Sequence, residues 1–347
     1  MTAALNVGLV GFGYAGRTLH APLIRATPGL VLAAVSSRDA GAVQAALGPD
    51  VRVHASADAL IDDASLDLVV LASPNATHAP LARRALEAGR HVVIDKPMAL
   101  HAAEAAPLLP LAQAARRVLS VFHNRRFDGD FLTAQALLAD GTLGRITEAR
   151  LHFDRYRPQV RARWRESAEP GGGLFADLSP HLIDQALQLF GEPVALSADI
   201  MILRDGGLTD DAFECRLRYA SGLRVTLAAS MLAALPGPRF ALHGTRGSWT
   251  SWALDPQEDA LKAGLSPDAA EAAPGELCIV EGDAGEPRAR AWPTRSGRWS
   301  HYYAQLRDAM LGRGPNPVPP DQACRVLKLQ DLARAAAAAR RELPVEP

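Results

Sequence analysis

The stretch Asn6-Val7-Gly8-Leu9-Val10-Gly11-Phe12-Gly13-Tyr14-Ala15-Gly16 sets an apolar run directly against a G-x-G-x-x-G turn. A segment of helical composition, Ala15 to Ala26, follows it. Strand, glycine turn and helix in this order form the phosphate-binding end of a βαβ unit. Gly11 permits the tight turn, Gly13 lets the backbone approach a pyrophosphate, and Gly16 lets the helix pack close to the strand. The helix N-terminus adds unpaired N–H groups and partial positive charge. Phe12, Tyr14 and Ala15 fill the rest of the turn and count with the glycines as candidate dinucleotide contacts. A purely structural turn is the plain alternative, and the strand-to-helix context argues against it.

Working outward, the first third of the chain repeats this alternation. Leu30 to Ser36, Leu66 to Ala72, His91 to Ile94 and Val118 to Phe122 read as further buried strands. Ala40 to Leu47, Ala76 to Ala88 and Ala102 to Ala115 read as helices between them. Alternation of this kind predicts a parallel sheet covered on both faces. Asn75 or Thr77 is expected to cap the third of the four helices, with Gly89 following its end. After Phe122 the pattern changes. Ile146 to Asp154, Phe213 to Leu217 and Leu223 to Leu227 alternate with period two, which predicts a mainly antiparallel, open sheet. Leu174 to Phe190 reads as a helix, with Pro180 suggesting a break, and Ser300 to Leu311 and Asp321 to Arg340 as two closing helices. Leu254 to Pro287, rich in Asp, Glu, Ala, Pro and Gly, reads as a surface excursion. The expected fold class is therefore α/β: an N-terminal Rossmann domain over 1–123 and a C-terminal α+β domain over 124–347, which also accords with ~150 residues per domain for 347 residues.

Composition excludes several other classes. Lys and Arg total 37 against 38 Asp and Glu, a net charge of −1, so the basic excess of a nucleic-acid binder is absent. Cys215, Cys278 and Cys324 are odd in number and widely spaced, which fits neither a disulfide framework nor a zinc site. No apolar run approaches the ~18 residues of a membrane span, and the first residues lack the pattern of a signal peptide. A cytoplasmic location, with neither nucleic acid nor membrane as partner, is the expectation.

The ends of the predicted strands carry the candidate ligand contacts. The second strand ends Val35-Ser36-Ser37-Arg38, whose hydroxyls and guanidinium suit a ribose 2′-phosphate where an NAD site places a carboxylate. This favours NADP, with NAD kept open, and Asp39 is read as the start of the next helix. The third strand ends in Ser73-Pro74-Asn75-Ala76-Thr77-His78 and the fourth in Asp95-Lys96-Pro97; Ser73, Pro74, Asn75, His78, Asp95 and Lys96 are candidate cofactor contacts. Lys96 could donate to a carbinol or carbonyl oxygen near the nicotinamide, or be a surface lysine. Pro97 favours an extended lysine and admits a cis bond. Beyond the triple glycine Gly171-Gly172-Gly173, the residues Asp177, His181 and Asp184 fall at i, i+4 and i+7 of a helix and share one face. A metal site of these three is weakly supported, since neither H-E-x-x-H nor paired cysteines occur. Arg155 to Arg165 holds five arginines with Tyr156 and Trp164. A solvated loop is one reading; the preferred one is a loop that meets a hydroxyl-rich substrate or a partner subunit, with Asn124 and Arg125 lining the same pocket.

These residues resemble the glucose-fructose oxidoreductase, inositol dehydrogenase and rhizopine-catabolism (Gfo/Idh/MocA) family over essentially the whole chain. The glycine motif at Gly11, Ser73 to His78, Asp95-Lys96-Pro97 and the glycine block ending at His181 carry the resemblance. It is most similar to the NADP-dependent scyllo-inositol dehydrogenase subgroup, through Phe12 to Leu23, Val121 to Asp128 and Tyr156 to Arg161. The resemblance implies a dimer or tetramer built on the C-terminal sheet. It also implies catalytic roles for Lys96, Asp177 and His181. Asp95 stands where the family usually has Glu, and Ser179 where it often has Gly. Oxidising a secondary alcohol needs removal of the hydroxyl proton, a step suited to histidine with its ordinary pKa of ~6.5, while a lysine stabilises the developing alkoxide. A cyclic polyol such as scyllo-inositol is the leading substrate, another sugar or keto-sugar the alternative. A non-catalytic NADP-binding sensor would be expected to lack one of Lys96, Asp177 and His181.

Overall fold

The computed structural model describes residues 4–266, 268–269, 273–279 and 287–346. The chain divides into two compact units: Met1–Phe127 with Pro256–Ala270 and Arg298–Leu327, and Asp128–Asp255 with Glu271–Gly297 and Lys328–Pro347. The chain thus passes between units repeatedly, where the sequence pattern pointed to one division near His123.

The first unit is built on a six-stranded parallel sheet. Its strands are β1 (Leu5–Val10), β2 (Leu30–Ser36), β3 (Arg52–His54), β4 (Leu68–Leu71), β5 (His91–Asp95) and β6 (Leu119–Phe122), in the order β3-β2-β1-β4-β5-β6. Val69, Val70, Val92, Val93 and Val121 are fully buried, as expected of strands covered on both faces. The order reverses at β1, with β2 on one side and β4 on the other, so the carboxyl end of β1 is the switch point at which such sheets bind ligands. Two details differ from the sequence reading. The first helical stretch is a π turn, Gly16–His20, followed by an α-helix, Ala21–Ala26. The predicted helix over 102–115 is interrupted, giving Ala102–Ala105 and Leu108–Ala115 with Pro107 at the second helix's start, where its missing N–H costs no hydrogen bond.

The second unit holds a nine-stranded sheet of β7 (Ile146–Asp154), β8 (Ala195–Met201), β9 (Ala212–Arg218), β10 (Arg224–Ser230), β11 (Phe240–Gly244), β12 (Gly247–Ser251), β13 (Gly275–Ile279), β14 (Arg288–Trp292) and β15 (Leu343–Pro344). The order is β14-β13-β12-β11-β7-β10-β9-β8-β15, and among the described pairs only β7 with β10 is parallel. Ala149, Leu151 and Phe153 of β7 are buried while Thr147 and Arg150 are exposed, so the period-two pattern is the sheet's two faces. The helix Leu174–Phe190 packs against β7, β9 and β10, and runs through Pro180 without the expected break. Among the described residues no helix is long and apolar enough to cross a membrane.

The stretch Leu254 to Pro287 is not a plain surface excursion. It contains the helix Gln257–Lys262 and strand β13, and Asp255, Gln257, Ala260, Leu261 and Leu277 are buried. Residues 267, 270–272 and 280–286 of that stretch lie outside the described residues. Trp299 N–H donates to Gln257 Oε1 at 2.7 Å and Gln257 Nε2 donates to the Phe127 carbonyl, which fixes this short helix in the first unit. Composition alone mistook an anchored element for a solvated one.

Candidate active site

The glycine turn sits at the carboxyl end of β1. Gly11 has φ +93°, and a Cβ there would lie 2.6 Å from the Ala72 carbonyl, so the conformation and the close packing both demand glycine. At Gly13, in contrast, a Cβ would meet nothing within 4 Å. Open space over the turn, with the helical turn starting at Gly16, is what a dinucleotide pyrophosphate requires. The residues present therefore fit a dinucleotide.

At the end of β2, Ser36 is buried within the sheet, and Ser37 Oγ accepts the Asp39 N–H at 3.1 Å. Asp39 caps the next helix, its Oδ1 accepting the Ala42 N–H at 2.9 Å. The expected start of that helix is thus observed, and the nearest carboxylate is occupied by backbone. Arg38 between them is exposed.

The turns after β4 and β5 are joined by His78. Its Nδ1 lies 2.7 Å from the Pro97 carbonyl and its Nε2 3.0 Å from the Ser73 carbonyl, and the ring is buried. Burial holds this imidazole below its ordinary pKa, against the pull of the carbonyls and Asp95. His78 is therefore a tie between two turns, its single N–H donating to one of these carbonyls while the other nitrogen lies beside the second. The expected side-chain cap by Asn75 or Thr77 does not form: Asn75–Thr77 is a 3₁₀ turn, and the Thr77 hydroxyl instead bonds Ser73 Oγ at 2.6 Å and donates to the Pro74 carbonyl. Lys96-Pro97 is a cis peptide, and Lys96 N–H donates to Asp95 Oδ1 at 2.8 Å. Behind Asp95, His20 Nδ1 shares a 2.6 Å hydrogen bond with the Tyr303 hydroxyl.

Four side chains of the first unit converge in a way the sequence did not suggest. Tyr14 of the glycine turn donates its hydroxyl to Glu258 Oε1 at 2.5 Å, and Arg125 Nη2 donates to Glu258 Oε2 at 3.3 Å. Lys262 Nζ lies 3.3 Å from the Tyr14-bound oxygen. Burial and the Glu258 carboxylate push the Tyr14 phenol up to about 12, so it stays a donor at working pH. Burial favours a protonated Glu258, but Tyr14, Arg125 and Lys262 together hold its carboxyl below the ordinary range. Asn124 and Arg125 are both buried, with Arg125 5.8 Å from the Trp299 ring centre. The adjacent apolar pair Ala260-Leu261 set between Glu258-Asp259 and Lys262 was the available signal for a packed helical turn here.

In the second unit, the helix Leu174–Phe190 starts at Gly173, φ +95°, where Asp210 Oδ2 accepts the Phe175 N–H at 2.6 Å. Asp177, His181 and Asp184 do fall on one helical face; His181 and Asp184 are buried, and Asp177 is partly so. Arg165 Nη1 lies 3.1 Å from Asp177 Oδ1. Ser179, the departure from glycine, accepts a hydrogen bond from Gln330 Nε2 at 2.8 Å. In the arginine loop, Tyr156 and Trp164 are exposed, Tyr156 bridging Leu232 and Trp164 stacking 5.3 Å from the Arg165 guanidinium. The loop is held from below by Arg204, missed in the sequence. Its Nη1 meets Glu166 Oε2 at 3.1 Å and the Arg157 and Gln159 carbonyls, and its Nε meets Asp211 Oδ2 at 3.0 Å. Structure thus brings Asp177 and His181 together on one helix, while Lys96 belongs to the other unit.

Two family models match the chain. Residues 5–123 match the oxidoreductase family with an NAD-binding Rossmann fold, and residues 131–250 match the GFO/IDH/MocA C-terminal domain. The uncharacterized oxidoreductase YdgJ of Escherichia coli strain K12 is 47% identical, covering 96% of each chain. The scyllo-inositol 2-dehydrogenase (NADP(+)) IolW of Bacillus subtilis strain 168 is 31% identical, covering 99% of this chain and 96% of its own. Among solved structures, the YPO2259 protein of Yersinia pestis superimposes with a TM-score of 0.94 at 45% identity, covering 100% of this chain and 99% of its own.

Proposed function

The chain belongs to the GFO/IDH/MocA family of nicotinamide-dependent oxidoreductases, and we propose that it is an NADP-dependent dehydrogenase interconverting a cyclic polyol of the scyllo-inositol type with its inosose. The observation that carries the cofactor choice is Asp39. Its carboxylate is spent on the helix N-terminus, which leaves Ser37 and the exposed Arg38 at the end of β2 to receive a 2′-phosphate. The substrate class is supported by the similarity to IolW and by the polar face of Asp177 and His181.

In this reading the first unit binds the cofactor through Gly11 to Gly16, Ser36 to Arg38, Ser73 to Asn75 and Asp95-Lys96, and the second binds the polyol. A nicotinamide held by these residues would supply the hydride acceptor for the carbinol carbon. His181 takes the hydroxyl proton at a ring nitrogen. Lys96 Nζ donates to the same oxygen as its charge develops, and Asp177 orients the hydroxyl or the imidazole. Asn124, Arg125, Tyr156 and Trp164 contact the remaining hydroxyls. Burial of His181 keeps bulk water from competing for the proton. The assembly is a homodimer or homotetramer on the exposed face of the nine-stranded sheet.

The test is a 340 nm screen of inositols, aldoses and keto-sugars with both cofactors. Turnover of scyllo-inositol with NADP above that of the other sugars is expected. Preference for an aldose or keto-sugar refutes the polyol, higher efficiency with NAD refutes the cofactor choice, and tight NADP binding without any turnover points to a sensor.

A further inference from the structure

We propose that Tyr14, Glu258 and Arg125 form a clasp across the dinucleotide groove, and that Glu258 sets how long the cofactor stays bound. The inference rests on the reading of the glycine turn as the cofactor site. Tyr14 projects from the carboxyl end of β1, and Arg125 from the turn after β6. In the sheet order those strands are separated by β4 and β5, a span of about 14 Å at ~4.8 Å per strand. A single carboxylate closes that span, one oxygen on the Tyr14 hydroxyl and the other on Arg125. The bridge therefore joins the turns after β1 and β6, on the carboxyl edge of the sheet where the turns carrying Ser73 and Lys96 also begin.

A dinucleotide bound with its adenosine ribose at β2 and its nicotinamide near Lys96 crosses the end of β1 on the way. It must pass the same edge that the clasp spans. Glu258 does not sit on a loose loop, because Gln257 next to it is buried and bonded to Trp299 N–H and the Phe127 carbonyl. The clasp is consequently anchored at the Glu258 end, while the Tyr14 ring at its other end is half exposed. A bare carboxylate beside a pyrophosphate would repel it. Neutralised by Arg125 and Lys262 and bonded to a phenol, it becomes a fastening instead. Glu258 acts through Tyr14 and Arg125 and is a positioning residue.

The experiment measures NADPH dissociation by stopped-flow displacement, following nicotinamide fluorescence, in wild-type protein and in Y14F, E258A, E258Q and the Y14F/E258A pair. Loss of a hydrogen bond to a charged group corresponds to about tenfold or more in rate. Y14F and E258A are each expected to speed dissociation by about that factor. The pair should be no faster than the quicker single variant, because both remove one contact. E258Q, which keeps an acceptor for Tyr14, should fall between wild type and E258A. Thermal midpoints within about 2 °C of wild type for Y14F separate the effect from unfolding, which a merely structural role would produce. Unchanged dissociation in Y14F and E258A, or fully multiplicative effects in the pair, overturns the clasp. Wild-type protein that binds neither NADPH nor NADH overturns the cofactor reading beneath it.

Discussion

Removing Arg204 tests how the arginine loop is held. Arg204 and Glu166 are each 6% exposed and Asp211 1%, so Arg204→Met strands two buried carboxylates and two loop carbonyls at once. Breaking a buried pair by deleting one partner costs ~3–5 kcal/mol. The remaining contacts place the loss at the lower end. Asp211 keeps the Leu203 and Arg204 N–H groups at 2.8 and 3.1 Å, and Glu166 keeps Arg163 Nε at 2.7 Å and the Arg161 N–H at 2.9 Å. About 3 kcal/mol in a unit of this size corresponds to a Tm lowered by roughly 6–12 °C, read by differential scanning calorimetry. Arg204→Lys keeps the charge without the planar fork, so it cannot serve Glu166, Asp211 and the carbonyls together and should recover only part of the loss. The triple variant R204M/E166Q/D211N removes the stranded charges and should recover stability relative to R204M alone. If Tyr156 and Trp164 contact substrate, R204M also raises KM for the polyol with little change in kcat. A Tm within 2 °C of wild type in R204M refutes the account of the loop's anchor, and a stability loss with unchanged KM refutes its substrate-facing role.

Three other outcomes are expected. Arg38→Ala should lower kcat/KM with NADP by on the order of tenfold or more and leave NAD little affected, measured by initial rates with each cofactor. Lys96→Ala and His181→Ala should each lower kcat by on the order of 10²-fold or more with NADPH still bound by fluorescence titration; near-normal turnover in either sinks the mechanism. Stability should also fall in mild acid. Burial and the nearby Arg117 hold His91 at about 4, below its ordinary 6.5, and its Nδ1 accepts the Val118 N–H at 2.9 Å. The unfolded chain takes this proton near pH 6.5 and the folded chain only near 4, so folding stability is lost as pH falls between those values. Because the ring is partly exposed, about 1–2 kcal/mol is expected, seen as a lower urea midpoint at pH 5 than at pH 7 that His91→Gln flattens.

How far the sequence revealed all this follows from what kind of contact each feature depends on. Strands β1, β2, β4, β5 and β6 were legible because burial on both faces writes them as continuous apolar runs. Strand β3 was not, since Arg52-Val53-His54 has three residues and an exposed end, too short to show a period. The Asp177 and His181 pairing was legible because it depends only on helical spacing, and Pro180 did not disturb it. The Asp210 cap of that helix was not, because its partner comes from 35 residues away. The glycine turn announced itself through local stereochemistry, but the fate of its tyrosine did not. Tyr14 and Glu258 are 244 residues apart, and Glu258 lies in a stretch whose charge and small residues look solvated. Only the return of 256–270 to the first unit makes that carboxylate a neighbour of the turn. Arg204 fails to show for the same reason: a lone arginine before Asp205-Gly206-Gly207 reads as surface until Glu166 and Asp211 close around it. Features that bind through backbone and periodicity are thus written locally, whereas those that hold parts in place over long separations are visible only once the chain has folded. It follows that substitutions at Tyr14 or Arg204 should be felt at partners far away in sequence, Glu258 in the one case and the arginine loop in the other.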